Sequence, residues 1–254
     1  MVGGILVLLF VVIGGLVFGW RQPASLDETV RPAGPAPARA VVRPAAPGAG
    51  VPTEAPPHSE GAFLDARRSG GAAYASGDLN AAKSRFEQAL AANPDDPLTL
   101  NNLGQVLVRL GDRDGALARF SHAVEVAPND WASHFNLAHT LGEQGDWEHA
   151  VAEYRTAAGL FPTDYATEYN LAMALHKQGD EAGAIPEFEK AIQLAPGEPT
   201  FHLSLAASLQ RVGRPADAAR EYQTYLDMSP AAPDAARVKA QIAALANAAP
   251  ASPQ

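Results

Sequence analysis

The 254 residues contain no cysteine. That absence removes disulfides, thiolate metal sites, haem-attachment motifs and cysteine nucleophiles together. It assigns no compartment, because a disulfide-free protein can live on either side of a membrane. Basic residues are scarce too: 19 Lys and Arg stand against 28 Asp and Glu, a net charge of −9. Four of each sign precede residue 61, so the remainder carries 15 against 24 and holds the whole excess. Such a domain is poorly suited to nucleic acid, which rewards clustered Lys and Arg. The seven His show no metal-ligand spacing, and His134 and His139 fall on different faces of one helix. Gly70-Gly71 lacks the nearby Lys-Ser/Thr of a phosphate loop, and nothing selects a Ser/His/Asp set. No metal, no cofactor and no enzymatic activity are expected.

What is present divides into three stretches. Residues 2–20, "VGGILVLLFVVIGGLVFGW", carry no charge. As a helix they span roughly 28 Å, close to the hydrocarbon thickness of a bilayer, so a single transmembrane helix is predicted. A cleaved signal peptide is the competing reading, but there is no basic segment before the run, and the run is long for that role. Gly15 and Gly19 form a small-xxx-small pair through which two such helices could pack, a route to oligomerisation. Residues 21–60 turn to Pro, Ala and Gly, as in "RPAGPAPARAVVRPAAPGAGVPTEAPP". Prolines remove backbone donors and favour extended segments, so this reads as a disordered tether of roughly 35 Å as a coil and about 120 Å at full stretch.

After residue 60 a period takes over. "NNLGQVLVRLGD", "FNLAHTLGEQGD" and "YNLAMALHKQGD" succeed one another at intervals of thirty-four residues. Pro94, Pro128, Pro162, Pro196 and Pro230 keep the same interval, as do Gly77, Gly111, Gly145, Gly179 and Gly213. Five units are predicted, at residues 63–96, 97–130, 131–164, 165–198 and 199–232, within a domain spanning 61–247. In each, a first helix ends at the Gly, with Leu at helical spacing in all but the first, and the Pro ends the second helix; in the first four the Asp after the Gly (Asp78, Asp112, Asp146, Asp180) caps that second helix. One such pair cannot bury both faces, so neighbours must stack. Residues 234–246, with Val238, Ile242 and Leu245 on one face, read as a capping helix, and residues 248–254 as a disordered tail. Ser69, Ala73 and Gly70-Gly71 mark the first unit as the softest.

The columns resemble the tetratricopeptide repeat family. They comprise a small residue (Gly70, Gly104, Ala138, Ala172, Ala206), an Ala in the second helix (Ala82, Ala116, Ala150, Ala184, Ala218) and an aromatic (Phe86, Phe120, Tyr154, Phe188, Tyr222). A second small position (Ala89, Ala123, Ala157, Ala191) becomes Leu226 in the last unit. The resemblance implies an all-α, right-handed superhelix that binds proteins or peptides without catalysis of its own. In that family the first helices line a concave groove. Asn102, Asn136 and Asn170 share the column that would face it, beside Asn101, Phe135 and Tyr169. One turn on come Gln105, His139 and Met173, then Arg109, Glu143, Lys177 and Arg211. Carboxamides, an exposed aromatic floor and a mostly basic edge suit an extended peptide with an apolar anchor and acidic residues. The family's carboxylate-clamp variety is matched only in part: Arg67 and Asn102 fit, but Gly71, Ala132 and Asn136 stand where other clamp residues belong.

The expected function is therefore a membrane-anchored scaffold that captures a peptide or protein during assembly of a membrane or envelope complex. A self-associating structural protein and an accessory subunit that positions a catalytic partner are the alternatives. Arg21, Arg31 and Arg39 follow the apolar run, and only the first Met precedes it, which favours a cytoplasmic repeat domain. Translocation of a long domain regardless of charge is the opposite case. On the cytoplasmic reading, the repeats should resist protease added outside intact cells or spheroplasts. Their digestion there would reverse the placement.

Overall fold

The computed structural model describes residues 58–248. The predicted anchor at residues 2–20, most of the predicted tether and the tail after 248 lie outside them. Among the described residues there are eleven helices, no strand, and no helix long and apolar enough to cross a membrane. The first pairs are α1 (His58–Ser76) with α2 (Leu79–Ala92), α3 (Pro97–Leu110) with α4 (Arg113–Val126), and α5 (Trp131–Glu143) with α6 (Trp147–Leu160). Then come α7 (Tyr165–Gln178) with α8 (Glu181–Leu194), α9 (Pro199–Arg211) with α10 (Pro215–Met228), and α11 (Ala235–Ala248). Helices α3, α5, α7 and α9 begin at Pro97, Trp131, Tyr165 and Pro199, the first residues of their units. Helix α1 starts at His58, so the predicted tether gives up its last three residues to an extra turn.

The turn inside each unit is built by one backbone device. Gly77, Gly111, Gly145, Gly179 and Gly213 adopt φ of 76–91°, a region that an L side chain disfavours. The next residue then donates its N–H five residues back, as in Asp112 to Leu107 O at 2.9 Å and Asp180 to Leu175 O at 2.9 Å. This closes the first helix and satisfies its last carbonyls. The same Asp opens the second helix: Asp78, Asp112, Asp146 and Asp180 accept from backbone N–H groups three residues on. The turns between units use Asp as well, because Asp96, Asp130 and Asp164 cap α3, α5 and α7 and also accept from Thr99, Ser133 and Thr167 hydroxyls. In the fifth unit Glu198 and Arg214 make no side-chain cap, and Pro199 and Pro215 begin the helices instead. Helix α8 runs unbroken through Pro186.

Packing follows the small–aromatic columns. Ala82, Ala116, Ala150, Ala184 and Ala218 are fully buried, and so, within a few per cent, are Phe86, Phe120, Tyr154, Phe188 and Tyr222. A Cβ on Gly104 would sit 2.5 Å from the Phe120 ring, which shows how closely α3 and α4 approach there. In the first unit Phe63, Ala66 and Ala89 form a small cluster apart from the rest, while Ala82 and Phe86 join the core of unit two. At the other end α11 buries Val238 and Leu245 against α10 and ties in through Gln241 Nε2 to Gln210 Oε1 at 2.7 Å. Every helix packs on the next. First helices of successive units also touch one another, whereas no second helix touches another second helix. The row therefore bends with the first helices on its inner side.

A polar seam runs between first and second helices in units three to five. His134 Nδ1 meets Glu153 Oε2 at 2.6 Å, and His202 Nδ1 meets Glu221 Oε2 at 2.7 Å. In the unit between, the corresponding residues are Glu168 and Glu187, two acids. Glu168 is fully buried, and Lys190 Nζ reaches its Oε1. Burial, and then the Glu168 carboxylate, push the Glu187 carboxyl above its ordinary range, while Lys190 and Arg155 pull the other way. The folded state therefore holds the Glu187 proton more tightly than the unfolded chain does, and this group loses the protein stability as pH rises through that window. Glu187→Gln should raise the thermal midpoint at neutral pH and leave it unchanged below about pH 4, where both states are protonated. Melts monitored by circular dichroism across pH check this, and an equal shift at both pH values would refute it.

Candidate partner-binding groove

The twelve residues expected to line the groove all lie on first helices α3, α5, α7 and α9, the helices on the inner side of the row. Asn102, Gln105, Asn136, Asn170 and Met173 are half-buried, and Arg109, Lys177 and Arg211 are exposed. Asn101 differs: it is only 6% exposed, and its Oδ1 accepts from Asn136 Nδ2 at 2.9 Å. Asn170 turns its Nδ2 back to Ala166 O at 2.7 Å. The carboxamides are thus not a row of idle groups. Asn136 joins unit two to unit three, and Asn102 and Gln105 are the two that keep clear of such bonds.

The aromatic floor is less exposed than the sequence suggests. Phe135 is half-buried, edge-on to Tyr154 at 5.5 Å and next to His139 at 6.5 Å. Tyr169 stacks on Phe201 at 4.6 Å, and its hydroxyl meets Ser204 Oγ at 3.2 Å. Burial pushes the Tyr169 hydroxyl up and the His139 imidazole down, so both are neutral in the ordinary range. Ser204 occupies the Asn102 column one unit on from Asn170. The bond from Tyr169 to Ser204 therefore repeats, two units along, the bond from Asn136 to Asn101. Sequence reading missed Ser204, although the thirty-four-residue interval points straight to it.

The basic edge is unevenly free. The Arg109 guanidinium lies 4.9 Å over the Tyr74 ring, and Arg211 pairs with Glu181 Oε1 at 2.8 Å. Glu143, the acid in this column, pairs with Arg113 at 3.1 Å. Among the described residues Lys177 has no carboxylate within ion-pair reach. Behind Arg211, His176 Nδ1 is 2.9 Å from Glu181 Oε2 and 3.0 Å from Ser208 Oγ. Ser, His and acid meet here, but both oxygens address one ring nitrogen and Ser208 is fully buried. That is a joint between units four and five, without the open hydroxyl a nucleophile needs. Among the described residues no group of His, Asp and Glu is arranged to hold a metal.

A row of antiparallel helix pairs with a lined inner face defines a helical-repeat solenoid. Its family can be stated: one tetratricopeptide repeat family model matches residues 73–138 and 175–242, a second matches 135–199, and the chain belongs to that family. No curated protein matches it in sequence. Among solved structures, a crystal structure of MamA is similar at 18% identity and a TM-score of 0.64, covering 70% of this chain and 96% of that one. MamA from Desulfovibrio magneticus RS-1 is similar at 19% identity and a TM-score of 0.64, covering 68% of this chain and 97% of that one. YrrB, described as a tetratricopeptide repeat protein with an unusual peptide-binding site, gives 16% identity and a TM-score of 0.65, covering 70% and 92%. At these identities the likeness establishes the fold.

Removing Asn136 should cost more than an exposed polar residue does. Asn136→Ala leaves the buried Asn101 Oδ1 without a donor, and such a loss costs about 1–3 kcal/mol. In a double-mutant cycle, Asn101→Ala in the Asn136→Ala background should cost less than Asn101→Ala alone. Strict additivity in denaturant melts would show that the bond contributes nothing.

Proposed function

We propose that this chain is a membrane-anchored interaction scaffold whose inner face binds an extended peptide segment of a partner protein, in the assembly of a membrane or envelope complex. One observation carries the groove reading: first helices touch first helices while second helices stand apart, so the inner face is a continuous surface of side chains. Asn102 and Gln105 offer donors and acceptors to a peptide backbone there, and Lys177 and Arg109 offer cations to acidic side chains. Met173 and the edges of Phe135 and Tyr169 supply apolar contact. Membership of a family of interaction modules supports a binding role over catalysis. Residues 2–20 serve as the anchor and 21–57 as the tether, with Arg21, Arg31 and Arg39 favouring a cytoplasmic domain.

The test begins with capture of the partner on the full-length protein through its anchor, followed by calorimetric titration. Combining Asn102→Ala, Gln105→Ala and Lys177→Ala should weaken binding by about tenfold or more, since each lost hydrogen bond is worth about 0.5–1.5 kcal/mol. Glu87→Ala on α2 should leave it unchanged. Asn136 is kept, because its loss perturbs the fold. Binding within threefold of the parent, with normal melting, would place the partner elsewhere.

A further inference from the structure

The two rims of the repeat row differ in a way the groove does not use. One rim holds the Gly-Asp turns within units; the other holds the Pro turns between units. Around the within-unit turns, residues 74–81, 108–115, 142–149, 176–183 and 210–217 carry nine acidic side chains, five Lys and Arg, and two His. Around the between-unit turns, residues 90–97, 124–131, 158–165, 192–199 and 226–233 carry seven acidic side chains and no Lys, Arg or His of their own, while Arg67 and His122 reach Asp96 and Asp95 from the helices beside them. The second helices α2, α4, α6, α8 and α10 all end at this rim, and none has a basic residue in its last turn. The first helices α3, α5, α7 and α9 begin at the same rim, and the positive ends of α3, α5 and α7 are met by the caps Asp96, Asp130 and Asp164, so the acids left for a partner are the exposed Glu125, Glu198 and Asp227.

Apolar surface collects on the same rim. Of ten exposed large apolar side chains among the described residues, six fall in these between-unit segments and two in the within-unit segments. Val126, Leu160, Leu194 and Met228 stand thirty-four residues apart at the ends of successive second helices, each 36–37% exposed. Phe161, 41% exposed and 5.2 Å from the Trp131 ring, and Tyr165, 36% exposed, widen this ridge at its middle. Packed helices lie about 8–10 Å apart and these second helices do not touch, so four positions run for roughly 30 Å or more, the length of about 20 residues of helix.

We propose that this rim is a second docking surface, taking a basic amphipathic segment of a partner protein. The apolar ridge accepts the segment's apolar face, and Glu125, Glu198 and Asp227 face its Lys and Arg. A second copy of this chain is the wrong sign, since rim against rim sets acid against acid. An anionic membrane surface is repelled for the same reason.

The test uses the full-length protein and a fluorescent synthetic helix with Leu at i, i+3, i+4 and i+7 and Lys elsewhere, read by anisotropy. The parent should bind it, and a peptide with Glu in place of Lys should bind at least tenfold more weakly. Glu125→Lys with Glu198→Lys should lower affinity for the basic peptide about tenfold. Leu160→Ser with Leu194→Ser should act similarly. Glu198 makes no cap bond and Glu125 is exposed, so the charge pair keeps the test meaningful even if the serine pair folds poorly. Glu87→Lys with Glu189→Lys, the same charge change on the outer face, should stay within twofold. So should the combined Asn102, Gln105 and Lys177 alanine variant, which separates this surface from the groove. Equal losses in the rim and outer-face charge variants would overturn the proposal, because binding would then follow net charge alone. Self-association abolished by the rim variants would overturn it in favour of a second copy.

Discussion

Everything in this fold rests on a joint of two residues, a left-handed Gly followed by a residue whose N–H reaches five positions back. The joint stops one helix and aims the next at a fixed angle, and it recurs at Gly77, Gly111, Gly145, Gly179 and Gly213 with nearly the same φ. Because the angle hardly varies, the small residue of each first helix meets the aromatic of its second helix in every unit. Stacking then has one solution, which places first helices inside. The groove, its columns and the two rims are consequences of that repeated angle.

The same joint recasts the charge of the molecule. Residues after 60 carry an acidic excess of nine, and seven aspartates, Asp78, Asp96, Asp112, Asp130, Asp146, Asp164 and Asp180, are helix N-caps. The excess is therefore mainly a capping requirement, met by the positive end of a helix dipole. Net charge alone says little about what this domain attracts. The distribution says more: cations gather near the within-unit turns, while at the other rim only Arg67 and His122 reach in, to Asp96 and Asp95.

Periodic features were legible because they obey local rules. Gly, Asp and Pro act on their own stretch of backbone, so their spacing alone placed the starts of α3, α5, α7 and α9. The cap helix was legible from the face holding Val238, Ile242 and Leu245. The groove was legible as a set of columns but not as a set of free groups. Asn101 looks like its exposed neighbours until units two and three are stacked, and only then does Asn136 bury and bond it. Tyr169 looks like an open anchor until Phe201 of the next unit covers it. The paired acids Glu168 and Glu187 were unreadable for the same reason, since they lie nineteen residues apart and meet only across α7 and α8. His58 at the start of α1 was hidden by the proline-rich composition just before it.

The absence of contact between second helices has a mechanical meaning. A curved row whose inner members touch and whose outer members do not resembles a stack hinged along one edge. Tightening it parts the outer helices further without breaking any packing between them, while flattening it brings them together across a gap. Resistance to bending is thus concentrated in the inner seam, where Asn136 holds Asn101, Tyr169 holds Ser204 and Arg211 holds the His176 carbonyl. The width of the inner face becomes an elastic variable set by a few side-chain bonds, and whatever pulls on the rims strains those bonds first.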